Sequence, residues 1–80
     1  MRDKRLGKFT LYREEIENYP DNVRLVMKEV IVVRAEYMWD RECIEYTAIS
    51  DQFSPIPPAE YPPEYRITIQ DHRAVFIQRY

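Results

Sequence analysis

The sequence predicts an α+β domain in which one short helix packs on one face of a five-stranded antiparallel sheet. Three observations lead there. Short stretches of alternating apolar and polar residues, rich in β-branched and aromatic types, recur along the chain. One stretch, Val23, Val26, Met27 and Val30, takes helical spacing instead. The stretches after it come as pairs joined by short polar connections, the mark of antiparallel hairpins with one face covered.

The elements follow in order. Phe9 to Glu14 reads as a strand, with Phe9 and Leu11 alternating with Thr10 and Tyr12. Pro20 stands where a helix begins, because a first turn has no use for its missing N–H, and Asp21 suits the positive end of the helix dipole. In the next strand Ile31, Val33, Ala35 and Tyr37 take one face and Arg34, Glu36 and Met38 the other. Trp39 to Glu42 is a four-residue connection, and Cys43 to Ser50 returns with Ile44, Tyr46 and Ala48 on one side. Asp51 to Glu64 holds five of the six prolines and reads as a stiff crossover. Tyr65 to Gln70 and Ala74 to Tyr80 form a second hairpin around Asp71-His72-Arg73, with Ile67 and Ile69 inward.

Composition narrows the function classes. Eighty residues make one domain, and hydrophobic residues at 45% are enough to build a core, which argues against disorder. Residues 1–8 form a basic tail of net charge +3, while residues 9–80, the domain proper, carry eight basic and thirteen acidic groups, a net −5. An acidic body attracts proteins with basic clefts and repels nucleic acid. Cys43 is the only cysteine, so no intrachain disulfide forms, which fits a reducing cytoplasm. No apolar run is long enough to span a membrane, and no apolar stretch follows the basic start as in a signal peptide.

The residues for catalysis are sparse. His72 is the single histidine, and a Cys43–His72 pair as nucleophile and base has no local signature around it; a structural cysteine is the simpler reading. One His and one Cys do not make a zinc site, and there is no glycine-rich phosphate loop. The expectation is therefore a non-enzyme with no catalytic residues, no metal and no cofactor.

The stretch Phe9 to Met27 resembles the phage inhibitors of uracil-DNA glycosylase. In that family an apolar strand leads into Glu-x-Ile, then Pro-acid-x-Val, then a further Val and an aliphatic residue. Here these are Glu14, Ile16, Pro20, Asp21, Val23, Val26 and Met27. Ile31 to Tyr37, Thr47 to Asp51, Pro63-Glu64-Tyr65-Arg66 and Ile67 to Asp71 are similar to later family segments in the same order. The family's first helix has no counterpart, and Asn22 stands where the family has an acid.

The resemblance implies a cytoplasmic DNA mimic, acting in the host of a phage, that occupies the DNA-binding cleft of the glycosylase in a 1:1 complex without touching nucleic acid. An edge strand around Glu14, Glu15 and Ile16, with Glu17, Asp21 and Asp51 at its rim, would present carboxylates in place of phosphates. An apolar pocket would take the leucine that the enzyme inserts into DNA. The helix face and the strand alternation supply candidates for that pocket: Val23, Val26 and Met27 over Val32, Ile44, Ile67 and Ile69. Two rivals remain open. One is a different phage interaction or anti-defence protein that uses the acidic body on another basic cleft. The other is a small single-stranded nucleic-acid binder using its aromatics and basic tail.

Overall fold

The computed structural model describes residues 5–57 and 59–79. Four residues of the expected basic tail, together with Pro58 and Tyr80, lie outside them. The elements are β1 (Leu6–Tyr12), α1 (Arg13–Asn18), α2 (Pro20–Lys28), β2 (Ile31–Met38), β3 (Cys43–Ile49), β4 (Tyr65–Gln70) and β5 (Arg73–Gln78). The α+β class and the five antiparallel strands agree with the sequence reading. Several parts of that reading are corrected.

The strands form two sheets, not one: β1-β3-β2 and β4-β5. A lone parallel bridge between Lys8 and Glu64 joins β1 to β4. Its hydrogen bond runs from the Lys8 N–H to the Pro63 carbonyl at 2.9 Å. Pro62 and Pro63 have no N–H to donate, so a longer ladder cannot start there. A further correction is a second helix. Residues 13–18 form α1, so Glu14, Glu15 and Ile16 are helical and present no strand edge. Arg-Glu-Glu-Ile-Glu are helix formers, and the strand alternation ends at Tyr12. At its other end β1 begins at Leu6, so Leu6 to Lys8 belong to the sheet and not to a tail.

Within the first sheet Phe9 pairs with Tyr46 and Leu11 with Ile44, so these side chains share the core face. In β2 the alternation is broken by a bulge between Val32 and Arg34. Val32, Ala35 and Tyr37 therefore stand opposite Ala48, Tyr46 and Ile44, and Ile31 shifts to the other face. The second hairpin turns on two residues, Asp71 and His72, both left-handed with φ of 51° and 60°. Two consecutive left-handed residues make the tight turn whose twist matches that of the strands. Arg73 accordingly belongs to β5.

Aromatic packing joins the two sheets. Phe53, in the loop after β3, is 1% exposed. It stacks on Tyr65 with ring centres 4.5 Å apart and meets Phe76 edge-on at 5.1 Å. Phe76 contacts Phe9 at 5.4 Å, and Phe9 stacks on Tyr46 at 5.1 Å. Burial pushes the Tyr46 phenol above its ordinary value. Helix α2 closes one side of the core through Val26, 2% exposed, with Val23, Leu25 and Met27 packed around it.

Gly7 is set by this packing and not by a turn. A Cβ there would lie 2.7 Å from the Tyr65 ring and 2.9 Å from the Phe53 ring. Gly7→Ala is expected to destabilise the fold by about 1–3 kcal/mol, the usual cost of overpacking. Thermal unfolding measures it, and an unchanged midpoint would mean that the rings shift freely.

Candidate functional site

The site forms where the two helices meet the junction of the sheets. Helix α1 is fixed at its start by the Arg13 N–H, which donates to the Glu42 carbonyl at 2.8 Å. The Tyr12 N–H donates to the Glu15 carboxylate at 3.2 Å, one half of a capping box. Tyr19 is the hinge between the helices. Its N–H donates to the Glu15 carbonyl at 2.8 Å, and its own carbonyl accepts the N–H groups of Asn22 and Val23. Pro20 then opens α2 at the first helical position, as the sequence predicts.

This corner encloses a cleft of about 80 Å3 lined by Leu11, Tyr19, Val23, Val26, Ile67 and Ile69, with Glu15 and Asn22. Its walls come from β1, α2 and β4, and its polar members are exposed. Four of the seven expected pocket residues are thus brought together: Val23, Val26, Ile67 and Ile69. Three are not among its lining. Met27 packs on the core, Ile44 sits half-buried on β3 opposite Leu11, and Val32 lies on the strand beyond β3. Leu11 and Tyr19 are lining residues that sequence reasoning missed. Leu11 was legible as inward-facing, but its neighbourhood with β4 was not.

The acidic residues fall into two groups. Glu14, Glu15, Glu17 and Asp21 are exposed on α1 and the first turn of α2. Glu17 accepts a hydrogen bond from the Arg13 Nε at 2.6 Å, and Asp21 is 3.6 Å from the Arg24 guanidinium. The hydrogen bond to Glu17 strengthens the hold of Arg13 on its proton. Glu14 has no ion-pair partner among the described residues. Asp51 lies elsewhere. The neighbouring Gln52 bonds to Glu29, just past the C-terminal end of α2, and the nine-residue helix is about 13 Å long.

That far end of α2 is held by a polar cluster. The Gln52 amide donates to the Glu29 carboxylate and to the Ala74 carbonyl, both at 2.9 Å, and accepts the Phe76 N–H at 3.0 Å. Arg73 donates to Glu29 at 3.0 Å. The bonds from Arg73 and then Gln52 hold the Glu29 carboxyl below its ordinary pKa.

A larger cleft of about 390 Å3 lies between β1 and β4 and is polar. Lys8, Arg41, Arg66 and Arg79 line it together with Glu15, Glu45 and Glu64. Sequence reading did not group these cations, because they come from four separate segments. Cys43 is buried in the first sheet, and His72 is exposed in the turn of the second. Among the described residues no His, Cys, Asp or Glu cluster is placed to hold a metal, and no helix is long and apolar enough to cross a membrane.

No protein-family model matches the chain, and no curated protein or solved structure matches it either.

The Glu29 cluster gives a pH dependence. A carboxyl whose folded pKa is depressed adds stability above its unfolded pKa, and that contribution is lost as pH falls through the folded value. Unfolding midpoints should therefore drop below the ordinary glutamate value of about 4.3. The drop should be smaller in Glu29→Gln, measured by urea unfolding across that range. An identical pH profile in the two proteins would remove Glu29 from the account.

Proposed function

We propose that this chain is a protein inhibitor of uracil-DNA glycosylase that seats a leucine of the enzyme in the cleft between α2, β1 and β4. The observation that carries the reading is an apolar cleft with carboxylates beside it. Leu11, Val23, Val26, Ile67 and Ile69 supply the apolar walls, and Glu14 and Glu15 stand on the adjoining helix. The collinear family resemblance supplies the partner. A basic DNA-binding cleft suits the net −4 of residues 6–80, nine basic and thirteen acidic groups. In this reading the acids are presented from helix α1 and not from a strand edge. The complex is 1:1 and involves neither turnover nor cofactor.

A second reading is favoured by one observation. The cations Lys8, Arg41, Arg66 and Arg79 around the larger cleft suit a phosphate-bearing ligand, such as single-stranded nucleic acid. The carboxylates of Glu15, Glu45 and Glu64 in the same cleft oppose it.

The test is uracil excision by purified glycosylase with this protein titrated in. The expected result is stoichiometric loss of activity, with no shifted band when the protein meets DNA alone. Full excision in the presence of excess folded protein overturns the proposal, and a band with single-stranded DNA favours the second reading.

Val23→Phe probes the cleft itself, since the larger ring fills the space meant for the incoming side chain. Losing the burial of one leucine costs about 1.5–3 kcal/mol. Inhibition should therefore weaken on the order of 10- to 100-fold while the circular dichroism spectrum stays that of the wild type. Unchanged inhibition by the folded variant would place the contact elsewhere.

A further inference from the structure

Strand β2 is the outer edge of the first sheet and pairs only with β3. Every one of its residues except Met38 is exposed. Ile31 is 69%, Val33 53% and Tyr37 57% exposed, and Trp39 just beyond the strand is 78% exposed. A free edge of this kind offers unpaired backbone N–H and C=O groups to another strand.

The charges on the strand narrow the choice of partner. Arg34 and Glu36 flank Ala35 symmetrically and touch at 3.3 Å. Glu36 stands directly opposite Glu45 of β3, a cross-strand pair of like charge. Within the chain Glu36 meets only Arg34 of its own strand, and the side of β2 away from β3 faces no strand. An antiparallel copy of β2, related by a two-fold axis through Ala35, sets its own Arg34 opposite Glu36 there. The same operation sets Glu36 of the copy opposite Arg34, so the contact is self-complementary. Tyr37 and Met38 of each copy then run beside Val33 and Val32 of the other.

Other registers are worse. An axis through Glu36 places Glu36 against itself, and an axis through Arg34 places Arg34 against itself. An axis between two residues mismatches the outward-pointing backbone groups, because those alternate along a strand. The bulge at Val33 ends the regular stretch that begins at Arg34, so the regular ladder about Ala35 is short and runs from Arg34 to Glu36.

We infer that β2 is a homodimerisation edge: two copies pair antiparallel about Ala35, with Arg34 of each opposite Glu36 of the other, to make a continuous six-stranded sheet. The contact lies at the edge of the sheet away from the β1–β4 junction, so the apolar cleft stays open in the dimer. The inference is independent of the proposed function.

Sedimentation velocity from about 1 µM to about 1 mM tests it, a range that covers weak association. The wild type should move from a one-chain to a two-chain species as concentration rises. R34E and E36R, each checked for folding by circular dichroism, should stay single across the range, because each homodimer opposes like charges. An equimolar mixture of R34E and E36R should dimerise again, since the mixed pair opposes unlike charges at both positions. The intrachain Arg34–Glu36 contact is lost in both variants and is not restored by mixing, so recovery reads the interchain contact alone. A35C provides a readout free of charge changes. Residues on the axis face their own copy within disulfide reach, so A35C should crosslink under mild oxidation while R66C and the wild type do not. A wild type that remains single at the highest concentration overturns the inference. So does a dimer that R34E leaves intact, or a mixture that fails to recover.

Discussion

The ring of Phe53 sits between two sheets that share a single backbone bridge. One such hydrogen bond contributes a net ~0.5–1.5 kcal/mol. Burying a large aromatic side chain contributes ~1.5–3 kcal/mol, and here four more rings continue from Phe53 through Tyr65, Phe76, Phe9 and Tyr46. Side-chain packing, and not strand pairing, therefore sets how β4-β5 sits against β1-β3-β2. The apolar cleft inherits that placement, because Leu11 comes from one sheet and Ile67 and Ile69 from the other. Gly7 belongs to the same constraint, since its missing side chain leaves room for both Tyr65 and Phe53.

The residue before Phe53 solves a different problem. The outward edge of β5 would leave the Phe76 N–H and the Ala74 carbonyl without partners. Gln52 satisfies both with its side-chain amide, in the manner of one residue of a neighbouring strand. The same amide reaches Glu29 beyond the end of α2. Two adjacent loop residues thus anchor the second hairpin, one by burial and one by hydrogen bonding. The loop also returns a polar contact, since the Tyr65 hydroxyl accepts the Ser54 N–H at 2.8 Å.

Local periodicity made much of the fold legible. The helical spacing of Val23, Val26 and Met27 located α2, and the four-residue connection from Trp39 to Glu42 and the second hairpin followed from alternation. The features that were not legible depend on contacts distant in sequence or on ambiguous composition. Helix α1 follows β1 with no intervening residue, so no turn signal marks the change. The bulge in β2 falls within Ile31-Val32-Val33, three β-branched residues that suit either face equally. The split into two sheets depends on β1 meeting β4 across more than fifty residues of chain. Half of the site was readable for the same reason. Val23 and Val26 lie on one helix face and Ile67 and Ile69 in one strand, whereas Tyr19 and Leu11 enter only through the way these elements meet.

Helical presentation of the acids changes what they contribute in the proposed complex. A strand edge offers a partner a row of backbone donors and acceptors, whereas the six-residue α1 leaves free only N–H groups of its first turn, so in the proposed complex it meets a partner mainly through side chains. Glu17 and Asp21 already share their charge with Arg13 and Arg24. Exposed pairs of this kind are worth ~0–1 kcal/mol, so a basic surface can displace the arginines at little cost. The carboxylates of Glu14 and Glu15 need no such exchange of ion-pair partners. Charges at a solvated rim act mainly on the rate and orientation of encounter, whereas a filled apolar cleft slows dissociation. In the proposed complex the division of labour follows: the helix α1 acids guide a basic cleft into place, and the walls formed by Leu11, Val23, Val26, Ile67 and Ile69 determine how long it stays.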